Sequence, residues 1–163
     1  MIGAPASDTV RLVALLTASI RTRSWWDGCV FVRFQSPTPG KRGVHLGVFG
    51  LTNLLGRGGQ LSAEEHAVWR AGNDWYDATY TNPADVDPSV YDVTVNPQAT
   101  AWFKDSATHL LARVPPYLAI LRSHGVECVR VESADPGRVV YEDDVQVVVV
   151  PRTSVRGKAS VRH

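Results

Sequence analysis

Cysteine is scarce in this chain: the 163 residues contain two, Cys29 and Cys128, and neither belongs to a CxxC pair. That removes zinc-ribbon and thioredoxin-type chemistry, and two thiols set in apolar, β-rich runs read as buried side chains rather than a disulfide. The five histidines show no HExxH or HxH spacing, so no metal site is expected. A GxSxG elbow is missing, and so is the GxxxxGK[ST] loop, which leaves neither a hydrolase nucleophile turn nor a phosphate loop. Long hydrophobic runs are missing too, since nothing approaches the ~20 apolar residues of a membrane span. Residues 10–20 are the most apolar early stretch. Arg11 interrupts it, no basic segment precedes it and no small-residue cleavage site follows, so it reads as the first helix of a cytoplasmic protein rather than as a signal peptide.

Lysine is the other shortage. Arginine outnumbers it 14 to 3, a compositional mark of a GC-rich bacterial genome. The net charge is only +1, but it is unevenly spread. Residues 1–57 carry seven basic residues against Asp8 and Asp27, whereas residues 58–92 carry seven acids against Arg70. Phosphates would be repelled by the acidic stretch, so nucleic acid is a poor partner for it. With 44% apolar and 20% charged residues the chain has the composition of a soluble globular protein, long enough to bury about two thirds of its unfolded surface in one domain. That domain is placed at residues 1–151. Residues 152–163 carry four basic residues and no acid, and read as a disordered end.

Secondary structure is most legible near the end. Asp135-Pro136-Gly137-Arg138 has the proline and glycine of a type II turn. A strand at residues 138–141, the acidic connection Glu142-Asp143-Asp144 and a second strand at residues 145–150 follow, giving a hairpin. The second strand is apolar except at Gln146, so both of its faces should be covered. Residues 29–35 form another strand, with Val30, Val32 and Phe34 on one face and Cys29, Phe31, Arg33 and Gln35 on the other. Residues 36–43 are a basic loop, and residues 44–55 fit either a strand or a short helix. Ser62 and Glu65 make a capping box for a helix reaching about Tyr80, whose spacing puts Ala67, Ala71, Trp75 and Ala78 on an apolar face. After a loop of about fifteen residues punctuated by Asn-Pro and Asp-Pro steps, a core-facing period runs from Phe103 to Leu121, straight through Pro115-Pro116. One kinked helix or two abutting helices, starting near Pro97, satisfy that pattern. A strand at residues 126–132 precedes the hairpin, and these successive strands, joined by short turns, should pair antiparallel with one another. The fold class is therefore α+β: one domain, a mainly antiparallel sheet of four to five strands, helices mostly on one face.

Three residues are candidates for acid/base work. Glu142 and Asp144 crowd the hairpin connection, where mutual repulsion raises a carboxyl pKa, and His45 adjoins the basic loop. Arg33, Gln35 and Gln146 are polar positions inside strands, and on a shared face they would suit a carboxylate or phosphate. The aromatic helix contributes Trp69, Trp75, Tyr76 and Tyr80 as ring surface. An early-strand arginine and a late-strand glutamine bear a loose similarity to ADP-ribosyl-transferring folds. The Glu-x-Glu or Gln-x-Glu pattern of those enzymes is missing, because Gln146 is followed by Val147 and Val148, and no family is identified. The expected function is a small enzyme that binds an anionic, nucleotide-like small molecule between the sheet and the aromatic helix, with carboxylate acid/base chemistry and without metal or cofactor. The alternative is a binding module of the immunity or adaptor type, offering the acidic aromatic surface of residues 64–92 to a basic protein.

Overall fold

The computed structural model describes residues 28–152. The helix expected over residues 10–20 and the basic tail from residue 153 onward lie outside them. Five strands, β1 (Phe31–Gln35), β2 (Thr100–Lys104), β3 (Val129–Ser133), β4 (Arg138–Glu142) and β5 (Gln146–Val150), form one antiparallel sheet in the order β3-β1-β2-β5-β4. The helices are α1 (Val48–Arg57), α2 (Ala63–Thr79), the short α3 (Pro83–Val86), α4 (Thr108–Leu111) and α5 (Pro115–Ser123). This is a single α+β domain.

One face of the sheet carries the main core. Val32, Phe34 and Phe103 from the strands pack against Val48 and Leu55 of α1, Trp69 and Tyr76 of α2, Leu110 of α4, and Tyr117, Ile120 and Leu121 of α5. Phe49 of α1 is the hub, with ring centroids 4.7 Å from Tyr76, 5.1 Å from Tyr117 and 6.3 Å from Phe103, all edge-on. Each such pair adds about 0.5–1.5 kcal/mol beyond area burial, so this ring ties two helices to the sheet through α1. On the opposite face Phe31, Val147 and Val149 cluster with Trp102. Every residue of β5 is buried, in keeping with its unbroken valine run and its place between β2 and β4.

Three expectations are corrected. Residues 97–121 do not start as a helix: residues 100–104 are β2, the central strand, and the first helix after them is α4. Phe103, Leu110 and Leu121 do share the core, but Phe103 reaches it from a strand, and a five-residue strand is too short to betray its period of two. The proline pair separates two helices rather than kinking one, with Pro115 opening α5, where its missing N–H costs nothing. Second, β3 and β4 are not neighbours but occupy opposite edges of the sheet. Residues 134–137 must therefore run from one edge to the other. Gly137, at φ 151°, comes so near that a Cβ would lie 2.6 Å from the Val150 carbonyl oxygen. Third, α2 buries Trp69 and Tyr76 and leaves Ala67, Ala71 and Ala78 exposed. Two large rings outweigh three methyl groups in the choice of face.

The capping box forms as expected, and it does more than start α2. Glu65 accepts from the Ser62 amide at 3.0 Å and also from the Ser123 hydroxyl at 2.6 Å and His124 Nε2 at 2.8 Å, joining the beginning of α2 to the end of α5. The Ser123 hydroxyl, then His124 and the Ser62 amide, hold this carboxyl down at about 2. Because the folded value lies below the ~4.3 of an unfolded glutamate, the stabilisation is whole above that pH and disappears as pH falls toward about 2. Denaturation midpoints measured from pH 6 to pH 2 should therefore drop through this window, and Glu65→Gln should flatten the drop. A variant with the same acid limb as the parent chain would contradict the joint.

Candidate functional site

Between α1 and α2, above the sheet, lies a cleft of about 380 Å³. Its position follows from two helical periodicities. Phe49, Asn53 and Arg57 stand four residues apart on one stripe of α1, while Trp69, Asn73, Tyr76, Asp77 and Tyr80 descend the facing side of α2. Phe103 of β2 contributes to the floor. α1 and α2 approach closely at Gly56, where a Cβ would come within 2.6 Å of the Trp69 ring, and α2 and α5 do so at Gly72, where a Cβ would come within 2.5 Å of the Tyr117 hydroxyl.

A polar network spans this contact. Trp69 Nε1 donates to Asn53 Oδ1 at 2.8 Å, Asn73 Nδ2 donates to the same oxygen at 3.1 Å, and the Tyr117 hydroxyl donates to Asn73 Oδ1 at 2.8 Å. An indole N–H can only donate, so the atom it meets must be the amide oxygen, and the orientation of Asn53 is settled. Its Nδ2 makes no hydrogen bond among the described residues, and the residue lines the cleft. At the mouth, Arg70 pairs with Asp74 at 3.0 Å and sits 5.3 Å over the Trp69 ring. Arg57 has no ion-pair partner among the described residues. Burial holds the phenols of Tyr76 and Tyr80 above their ordinary range and pushes Tyr117 up to about 12, so all three stay protonated donors at neutral pH. The cleft thus offers ring surface, amide and guanidinium donors, and one carboxylate, Asp77.

Of the residues expected at a site, Trp69, Tyr76 and Tyr80 line this cleft. Trp75 does not, its ring lying 5.1 Å from that of Tyr76 with the Arg113 guanidinium 4.4 Å away. Arg33 and Gln146 do not share a face. Gln146 is the cross-strand partner of Phe103, and Phe103 that of Val32, so both face the helices, whereas Arg33 starts from the other side of β1. Gln146 is fully buried and fully engaged: its side chain donates to the Thr81 carbonyl and to Asp143, each at 2.8 Å, and accepts from the Tyr80 hydroxyl. It is a plug, because the valine strand can hold an amide only with every hydrogen bond made.

Arg33 fills a split. Beyond Val32 the strands β1 and β2 part, and Gln35 pairs with Gly47 instead. The guanidinium occupies the gap, giving one hydrogen bond each to Gln35 Oε1 at 2.8 Å, the Ala101 carbonyl at 2.7 Å and the His45 carbonyl at 2.8 Å. His45 itself donates from Nδ1 to the Ser36 carbonyl at 2.8 Å, since a carbonyl can only accept. Glu142 pairs with Lys104 at 2.7 Å in the turn at the other end of the strands, and Asp144 is exposed there. Glu142, Asp144 and His45 are therefore not gathered at one point, and none of them lines the cleft. Sequence reasoning missed the other lining residues: Arg70, Asn73 and Asp77 on α2, Phe103 on β2, and on α1 Phe49, Asn53 and Arg57. The i, i+4, i+8 spacing of the last three was visible, but it acquires meaning only once residues 48–57 are known to be a helix.

No protein-family model, curated protein or solved structure matches this chain.

The Trp69–Asn53 hydrogen bond should appear as coupling between the two side chains. In a double-mutant cycle of Trp69→Phe and Asn53→Ala, unfolding free energies should be non-additive by about 1 kcal/mol. Additivity within ~0.3 kcal/mol would remove the bond from the account.

Proposed function

We propose that this chain binds an anionic small molecule carrying a flat ring, nucleotide-like in that respect, in the cleft between α1 and α2. One observation carries the reading. Asn53, its oxygen held by Trp69 and its Nδ2 without a hydrogen bond among the described residues, lines an aromatic-walled cleft, and Arg57, free of any ion pair among the described residues, stands one turn further along the same helix. At about 380 Å³ the volume falls in the range of pockets that take one small ligand. Ring faces of Phe49, Tyr80 and Phe103 supply contact area, and the donors select for acceptor-rich, negatively charged groups. The acid/base chemistry expected of Glu142 and Asp144 finds less support than binding does, because both carboxylates stand outside the cleft.

A second reading has its own observation. Val86, Val93 and Val95 are more than half exposed and Tyr91 is 39% exposed, all within residues 85–95, which also include Asp85, Asp87 and Asp92. Such a surface suits a basic protein segment with apolar side chains, and it preserves the acidic-surface alternative in a form shifted from residues 64–92 toward residues 85–95.

Calorimetric titration with phenyl phosphate and the four common nucleoside 5′-monophosphates tests the cleft. At least one should bind, and Arg57→Ala should weaken it about tenfold, equivalent to about 1.4 kcal/mol. Absence of binding up to 10 mM across the series, with the chain folded, would sink the proposal.

A further inference from the structure

Beside the cleft is a narrower recess of about 80 Å³ that shares Phe49, Tyr80 and Phe103 with it and ends at Arg33. At ~30 Å³ per water it has room for two or three waters or for one carboxylate group. Its walls are otherwise apolar, with Val32 and Val48 among them. Gly47 forms part of the wall next to the guanidinium, and a Cβ there would stand 3.2 Å from Nη2.

The charge at the end of this recess is unusual in its company. Arg33 meets three acceptors, and all three are neutral. It forms no ion pair among the described residues. Burial is the dominant influence on it, and the ionisable groups nearest to it, Tyr91, Cys128 and Tyr80, are two phenols and a thiol that burial itself keeps protonated and neutral. A desolvated cation with no counter-ion is costly to hold. Of the five N–H groups of a guanidinium, three are used, which leaves one on each terminal nitrogen. Two N–H groups on the two terminal nitrogens are what a carboxylate takes in a two-pronged contact.

We propose that the recess is a carboxylate subsite: a ligand ring resting on Phe49, Tyr80 and Phe103 directs a carboxylate onto Arg33, so the molecule bound by this chain is an aromatic or other flat-ringed carboxylic acid. This deepens the cleft reading and rests on it. The apolar walls exclude water from the pair, which strengthens the contact, and the small volume excludes a bulkier phosphate ester.

Arg33→Ala removes three hydrogen bonds that close the split between β1 and β2, and such a chain can fail to fold. The test therefore fills the recess and keeps the charge, using Ala101→Leu, whose side chain enters from the β2 side, checked for folding by circular dichroism. Ligand-observed NMR titrations would compare benzoate with benzamide, and phenyl phosphate in parallel. The parent chain should bind benzoate at least tenfold more tightly than benzamide, and Ala101→Leu should bring that ratio close to one while leaving phenyl phosphate unaffected. Equal affinities of the parent chain for benzoate and benzamide, with phenyl phosphate bound, overturn the subsite and leave the cleft standing. Benzoate bound selectively with phenyl phosphate unbound supports the subsite and removes the phosphate-type ligands from the cleft. No binding of any of the three overturns both.

Discussion

An indole nitrogen that can only donate, set 2.8 Å from an asparagine oxygen across a helix pair, is the constraint on which the rest of the site depends. Trp69 is buried, and a buried N–H without an acceptor costs about 1–3 kcal/mol, so Asn53 must be where it is. Once Asn53 is placed, α1 is rotated so that Phe49 points at the sheet and Arg57 at the mouth of the cleft. Gly56 is a consequence of the same contact, since a side chain there would push the Trp69 ring away, and Gly72 plays the same part between α2 and Tyr117 of α5. The second helix pair is held by the Glu65 joint, which satisfies three donors with one carboxylate and keeps the base of α2 against the tip of α5.

The polar residues inside the sheet separate into two kinds when their partners are counted. Gln146 has a partner for every group it carries, supplied by Tyr80, Thr81 and Asp143, and its removal from the list of binding residues follows from that completeness. Asp143 is used in the same way: it accepts from the Val145 and Gln146 amides and from the Tyr141 hydroxyl, so the acidic hairpin connection is held by its middle member while Glu142 turns to Lys104. Arg33 differs. Its hydrogen bonds mend a split in the sheet, but its charge has no ion-pair partner among the described residues. Structure and function are not alternatives for this residue, because the gap that needs its donors also creates the recess beside it.

Much of the fold was legible in the chain, and what was not has physical causes. Ser62 and Glu65 marked the start of α2 because a capping box is a local device, complete within four residues. The valine run of β5 announced burial on both faces, and the Pro115-Pro116 pair marked either a kink or a junction between two helices, of which the junction is what forms. β2 was hidden because Phe103, Ala107 and Leu110 happen to fall at helical intervals although the chain changes from strand to helix between them. The pairing of β3 with β1 rather than with its sequence neighbour could not be read from turn residues, since Pro136 and Gly137 serve a crossing link as well as a tight turn. Site residues were harder still. Rings on α2 are conspicuous by their number, and three of the four line the cleft, but Asn53 and Arg57 lie in and just after a stretch that fits strand or helix alike, and their shared stripe exists only in the helical form. The faces of Arg33 and Gln146 depended on a register that no local signal fixes.

The most direct measurement of the central contact is hydrogen exchange at the tryptophan indoles, followed by NMR with the Trp69 signal identified through Trp69→Phe. The account predicts that the Trp69 indole proton exchanges at least tenfold more slowly than an exposed indole and that Asn53→Leu, which matches the size of the side chain but accepts no hydrogen bond, abolishes most of that protection while the chain remains folded. A Trp69 indole that exchanges as fast in the parent chain as in Asn53→Leu would mean that the helix pair is not tied there, and the cleft would lose the arrangement that gives it its donors.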